Sequence, residues 1–280
     1  DDYFGILDDD EGVWSDGARA ERADVAIGRL PVQTTTDARA VLDKMARYEN
    51  PATFGDWRTR YLFIADDGPT PSDNNHDLHV QNADFVAELV KSLTDQVVIQ
   101  KVYGPSYERV FQTKTRLPGA RRDILRAIDN GILAFNYSGH GGTEVLADEE
   151  IFTREDAASL TNLDRLPVFV TATCSFGRWD MQELQSAAEV LVNNPKGGAV
   201  AMFTTIRVVT TSSDTYRLNV GVNRYLNLGL FTPGPDGLPP RLGDAMLRLK
   251  QSPIGSDPNS RKFNLLGDPS LRFGLAPLEV

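Results

Sequence analysis

Five short apolar runs punctuate the chain, at residues 61–65, 97–102, 132–137, 168–172 and 198–203. Nearly every position in them is apolar, instead of every second one, which is the pattern of strands covered on both faces. Helical periodicity fills the gaps. Residues 36–48 set Ala38, Val41, Leu42 and Met45 on one side, behind the capping cluster Thr34-Thr35-Thr36-Asp37. Residues 82–93 repeat Phe85, Val86, Leu89, Val90 and Leu93. Residues 121–128 group Ile124, Leu125 and Ile128 before Asn130-Gly131, and residues 187–192 stop at Asn193-Asn194-Pro195. A further helix is predicted over 215–228. After the rigid Pro/Gly loop at 232–240, another helix and Asn264-Leu265-Leu266 follow. Strands alternating with helices predict an α/β fold, a mostly parallel β-sheet flanked by helices and joined by right-handed crossovers. Sheets of this kind hold ligands at the carboxyl ends of their strands.

Charge and cysteine content narrow the chemistry. The 280 residues carry 29 Lys plus Arg against 39 Asp plus Glu, a formal net charge of −10. That balance disfavours nucleic acid and anionic lipid as general partners. No run reaches the roughly 18 apolar residues of a membrane helix. One cysteine rules out an internal disulfide or a multi-cysteine metal site. The chain opens on Asp1-Asp2-Tyr3-Phe4 without Met, which reads as a mature form or a piece of a larger protein.

Two apolar runs end in reactive side chains. Residues 132–137 lead into Ser138-Gly139-His140-Gly141-Gly142, and residues 168–172 lead through Thr173 into Cys174-Ser175-Phe176-Gly177. In a parallel sheet both ends point to one edge, and 34 positions suit a single crossover between neighbouring strands. Cysteine catalysis uses such a pair. The nucleophile is the thiolate, and an adjacent imidazole takes its proton and later protonates the leaving group. The amides of Gly141 and Cys174 are candidate oxyanion donors. Phe176, Trp179, Thr205 and Arg207 follow strand ends at the same edge and are candidate substrate-binding residues. Taken singly, a strand-end cysteine is more often a small buried hydrophobe, and a histidine in a glycine turn is more often structural.

Other motifs fail. The glycines after His140 lack the third glycine of a dinucleotide loop, no G-x-S-x-G occurs, and no phosphate-binding G-x-x-x-x-G-K-[ST] occurs. His76 and His79 with nearby carboxylates admit a metal-dependent hydrolase, although a polar loop before a helix explains them more simply. That loop follows the first strand, so Asp77 or His79 is positioned to orient His140 as a third catalytic member. Asp8 and Asp10, in an acidic cluster, are candidate ligands of a structural calcium ion, and no other cofactor is expected.

The segments Tyr137-Ser138-Gly139-His140-Gly141-Gly142 and Val170-Thr171-Ala172-Thr173-Cys174-Ser175 resemble the His-Gly and strand-end Cys of caspase-like cysteine peptidases, and more narrowly of the gingipain family. Asp2-Tyr3-Phe4-Gly5, residues 24–32 and Leu265-Leu266-Gly267-Asp268-Pro269-Ser270-Leu271 extend the resemblance in order over nearly the whole chain. The resemblance implies a caspase-like sandwich and peptide-bond cleavage with His140 as base and Cys174 as nucleophile. The nearest likeness is to the members that remove carboxyl-terminal sorting signals from type IX secretion cargo and can pass the acyl group to a surface glycolipid amine. Implied partners are such protein substrates and outer-membrane secretion components, at an exported, outer-membrane-surface location. A general secreted protease of the same family and a non-enzymatic cargo-binding module are the alternatives. The family's acidic third member has no clean counterpart; Asp77, His79 and Asp84 compete. One peptidase domain over 1–280 is expected, with an N-terminal subdomain over about 1–115 and a catalytic subdomain over 116–280.

Overall fold

The computed structural model describes residues 1–8, 22–66, 77–111 and 113–275. In chain order the elements are α1 (Thr35–Glu49), β1 (Arg60–Ala65), α2 (Leu78–Leu93), β2 (Val98–Tyr103), β3 (Val110–Phe111), β4 (Thr115–Arg116) and α3 (Pro118–Asn130). There follow β5 (Ala134–Ser138), β6 (Val145–Leu146), β7 (Phe152–Thr153), α4 (Arg154–Ser159), β8 (Val168–Ala172), α5 (Ala187–Asn193), β9 (Ala201–Thr205), α6 (Leu218–Leu230), α7 (Leu242–Gln251) and β10 (Phe263–Leu266).

Six strands form one sheet in the order β10-β9-β8-β5-β1-β2. Five run parallel, and β10 closes the β9 edge antiparallel. The two short hairpins, β3–β4 and β6–β7, stand outside it. Strands β1 and β2 come from the first 115 residues, yet β1 pairs directly with β5.

Alternation along the strands fills two cores. Tyr61 and Phe63 point toward α2, α6 and α7, where they meet Val86, Val90, Val222, Leu226 and Leu249. Leu62 and Ile64 point the other way, toward α1, α3, α4 and α5, and meet Val41, Ile124, Ile128, Ala157 and Leu191. The result is a three-layer sandwich whose sheet is apolar on both sides, which explains the continuous runs in the sequence.

Buried polar groups tie the layers together. Asn136 on β5 and Asn223 on α6 exchange side-chain hydrogen bonds of 2.7 and 2.9 Å, and Tyr61 donates to Asn227 Oδ1 at 2.7 Å. Lys44 on α1 is wholly buried and donates to the carbonyls of Leu191 and Val192 in the last turn of α5, at 3.0 and 2.9 Å. Leu191 also accepts from the Ala199 N–H at 3.1 Å, so the lysine adds a second donor to one helix-end carbonyl and supplies a donor to the other. Burial pulls its ammonium down to about 7.

Candidate active site

The strand register builds the site. Ala65, Ser138 and Ala172 lie in one row across β1, β5 and β8. The next residues are Asp66, Gly139 and Thr173, and one step further are His140 and Cys174. The imidazole and the thiol therefore leave adjacent parallel strands at the same level of the same edge, as the sequence anticipates.

His140 is held by its backbone on both sides. Its N–H donates to Asp66 Oδ2 at 2.8 Å, and its carbonyl accepts from the Tyr137 hydroxyl at 2.6 Å and from the Ala147 N–H at 3.0 Å. Gly139 permits this clamp, because a Cβ there would collide with the Asp66 Cβ and the Tyr137 ring and hydroxyl. The His140 ring is on the exposed side of the cluster and meets the His79 ring edge-on, with centroids 5.0 Å apart at 82°. His79 sits in the first turn of α2 and is buried, as is Asp66. One ligand atom from each of Asp66, His79 and His140 lies within 4.8 Å of the others.

The following hairpin shapes the space beside the ring. Gly142 N–H donates to Val145 at 3.0 Å and Ala147 N–H to His140, with Gly141 bridged to Leu146. This antiparallel pattern takes the amides on either side of the bridge and turns the Gly141 amide away from the hairpin. Gly141 also packs against β8, since a Cβ would stand 2.5 Å from Thr173 Oγ1.

Cys174 occupies a sharp turn. It is partly exposed, rests on the core beneath α2 and α6, and its thiol donates to the Val209 carbonyl at 3.5 Å. The next residue, Ser175, has φ 51°, a left-handed conformation that costs a non-glycine residue about 1–2 kcal/mol. Bonds to the β9 side hold it there: Ser175 N–H to Arg207 at 3.2 Å, Gly177 N–H to Thr205 at 2.8 Å, and Thr205 Oγ1 to the Thr173 carbonyl at 2.5 Å. The strained residue directly after Cys174 turns the chain out of the strand direction at the thiol. The edge thus brings together a thiol, an imidazole, a buried carboxylate and the outward Gly141 amide, groups that acyl transfer through a thiol can use.

The other sequence-nominated residues divide by burial. Phe176 and Thr205 are fully buried; Phe176 packs in the α1/α3/α5 core, and Thr205 is spent on the turn. They shape the cleft from behind. Trp179 is half-buried under the Arg29 guanidinium, 3.7 Å from the ring centroid. Arg207 is exposed and grips Asp180 with two bonds of 3.1 and 2.5 Å, which hold the Asp180 carboxyl below its usual range. Asp77 is exposed at the N-terminal boundary of α2. Asp84 is bonded to Lys101 and Tyr103 at 2.6 Å each, on the β2 side. Asp8 is exposed; Asp10 and His76 lie outside the described residues. The acid brought to His140 is Asp66, which the sequence reading passed over. Its signal was available, because it follows its apolar run directly, as His140 and Cys174 nearly follow theirs.

A sandwich of this topology, with a thiol and an imidazole at adjacent strand ends, defines a caspase-like cysteine-peptidase fold. The chain belongs to Peptidase family C25, whose model matches residues 1–274. Gingipain R2 of Porphyromonas gingivalis strain W83 is 27% identical over 176 residues, covering 62% of this chain and 22% of that protein. Gingipain R1 of Porphyromonas gingivalis is likewise 27% identical over 176 residues, covering 62% of this chain and 16% of that protein. The chain therefore spans about a fifth of the length of the curated relatives it matches. Among solved structures, the Arg-specific cysteine proteinase gingipain R superposes with a TM-score of 0.71 at 21% identity, over 92% of this chain and 57% of that one. The complex of Porphyromonas gingivalis RgpB pro- and mature domains gives 0.68 at 22% identity, over 90% and 57%. Those likenesses establish the fold.

Proposed function

We propose that this chain is a cysteine endopeptidase in which Cys174 and His140 carry the chemistry and Asp66 positions His140. The single observation that carries the reading is the strand register, which delivers His140 and Cys174 to one level of one sheet edge. His140 takes the Cys174 proton, and the thiolate adds to the scissile carbonyl. The Gly141 and Cys174 amides receive the negative oxygen. The tetrahedral species collapses as the imidazolium protonates the departing amine, leaving a thioester on Cys174. A water molecule or a second amine then attacks, gives its proton to His140, and expels the thiolate. Trp179 and Arg207 border the path of the substrate. Asp77, at the same edge, is the alternative to Asp66 as the acidic member.

The substrate reading is finer. The ordered likeness of residues 2–5, 24–32 and 265–271 to the PorU type of gingipain relative supports removal of carboxyl-terminal sorting signals from type IX secretion cargo, at the outer-membrane surface of the exporting cell. Transfer of the acyl group to a glycolipid amine uses the same first half-reaction. No described helix is long and apolar enough to cross a membrane. A general protease of the family is the second reading, supported by the gingipain relatives.

The test incubates the chain with a cargo protein ending in a sorting signal and with the same cargo lacking it, and follows cleavage by intact mass. Cleavage at the signal boundary alone supports the sorting reading. Indiscriminate cleavage supports the general protease, and a Cys174→Ala chain that still cleaves removes both.

A further inference from the structure

Asp66, His79 and His140 form a cluster that thiol catalysis does not fully use. We propose that these three side chains bind one divalent transition-metal ion of the zinc class, and that binding takes His140 away from Cys174 and silences the peptidase. The first half stands on geometry alone; the second rests on the cysteine-peptidase reading.

Distances, donor chemistry, anchoring and burial support it. The ligand atoms lie within 4.8 Å of one another, and tetrahedral zinc with bonds of about 2.0–2.2 Å needs separations of about 3.3–3.5 Å. Binding closes that gap by side-chain rotation in this proposal. Two imidazole nitrogens with one carboxylate form a donor set suited to zinc, cobalt or nickel and unsuited to calcium or magnesium. The ligands also come from three separately anchored elements: the end of β1, the first turn of α2 and the end of β5. Asp66 is held in place by the bond its Oδ2 accepts from the His140 amide at 2.8 Å, the kind of outer support that keeps a ligating carboxylate oriented. Two ligands are buried and His140 faces solvent, which leaves an entry side and a fourth position for water. Cys174 is not among the three ligands.

His140 cannot donate one electron pair to a metal and also accept the thiol proton with it. Occupation of the cluster therefore stops the first catalytic step without touching the nucleophile, and a chelator reverses the block. This differs from capture of the metal by the thiol itself, and the difference is measurable.

Zinc and cobalt are titrated into the Cys174→Ala chain by calorimetry and visible absorption. The expected result is one ion per chain, with the intense bands of low-coordinate cobalt. His79→Gln and Asp66→Asn, each introduced into the same background and checked for an unchanged melting profile, should weaken binding at least about tenfold. In the parent chain, zinc should inhibit peptide hydrolysis and a chelator restore it, with His79→Gln needing at least tenfold more zinc for half-inhibition. No binding at micromolar zinc, loss of binding on removing the thiol, or unchanged affinity in both ligand variants would each overturn the proposal. A chain that binds zinc as described yet hydrolyses no peptide after chelation keeps the metal site and refutes the peptidase reading instead.

Discussion

Replacing Asp66 by Asn tests how much its charge contributes to the Cys–His pair. Asn keeps an oxygen for the His140 amide, so the backbone clamp survives, and only the negative charge is lost. The charge lies no farther than 4.8 Å from a ring nitrogen of His140. Coulomb's law at that distance, with an effective dielectric constant of about 20, gives about 3.5 kcal/mol of attraction for the positive charge that develops on the ring as it takes the thiol proton. The ring is exposed on one side, so solvent screening cuts this to about 1.5–2 kcal/mol. The reacting state contains the imidazolium, so kcat/KM should fall by about 10- to 30-fold. The assay is steady-state hydrolysis of a peptide substrate, with chemical unfolding as a control for stability. The exposed Asp77, changed to Asn, should lower kcat/KM less than threefold. The reasoning is refuted if Asp66→Asn is fully active while folded, or if Asp77→Asn proves the more damaging change.

Other expectations follow from packing and titration. Gly139→Ala drives a methyl group into Asp66 and Tyr137 and should cost about 1–3 kcal/mol in urea unfolding. Gly142→Ala, where a Cβ meets nothing within 4 Å, should be nearly neutral. Equal effects of the two would contradict the clamp. Lys44 sits near 7 when folded, against an ordinary lysine value of 10.5. Between those values the unfolded chain holds the extra proton, so stability rises with pH by up to about 1.4 kcal/mol per unit above pH 7. Lys44→Met should flatten that rise in unfolding midpoints at pH 7, 8 and 9; an unchanged slope would remove Lys44 as its source. Tyr137→Phe removes one donor from the His140 carbonyl, which keeps the Ala147 bond, so it should cost about 0.5–1.5 kcal/mol in thermal or urea unfolding. A loss above 3 kcal/mol would mean that the hydroxyl supports more than this carbonyl.

Strands with both faces buried announced themselves, because continuous apolar runs leave few other structures open to them. The expected 168–172 coincides with β8, and 61–65 differs from β1 by one residue. Helix starts were less legible. The reading began the second helix at Asn82, whereas α2 begins at Leu78 behind Asp77, which makes no side-chain cap bond. That early start is what carries His79 from a polar loop onto a helix and into the core beside His140. The sixth helix begins at Leu218 instead of Thr215 because Leu218 itself adopts φ 51° at its entrance. The hairpins β3–β4 and β6–β7 have strands of two residues each, too short to show alternation. Phe176 looked like a binding-loop aromatic, but its side chain turns back into the core. Asp66 stands directly after its apolar run, which the sequence shows; that it meets His140 depends on the pairing of Ala65 with Ser138 one step before it, and pairing between distant strands cannot be read from one strand alone.

The central claim is that Cys174 and His140 act as one nucleophilic pair. The direct measurement treats the parent chain and its His140→Ala variant with a peptidyl acyloxymethyl ketone near neutral pH and locates the adduct by mass spectrometry. The account predicts one adduct per chain, on Cys174, forming at least about 100-fold more slowly in the variant. Equal labelling rates in the two proteins, or no adduct on a folded parent chain, would contradict it.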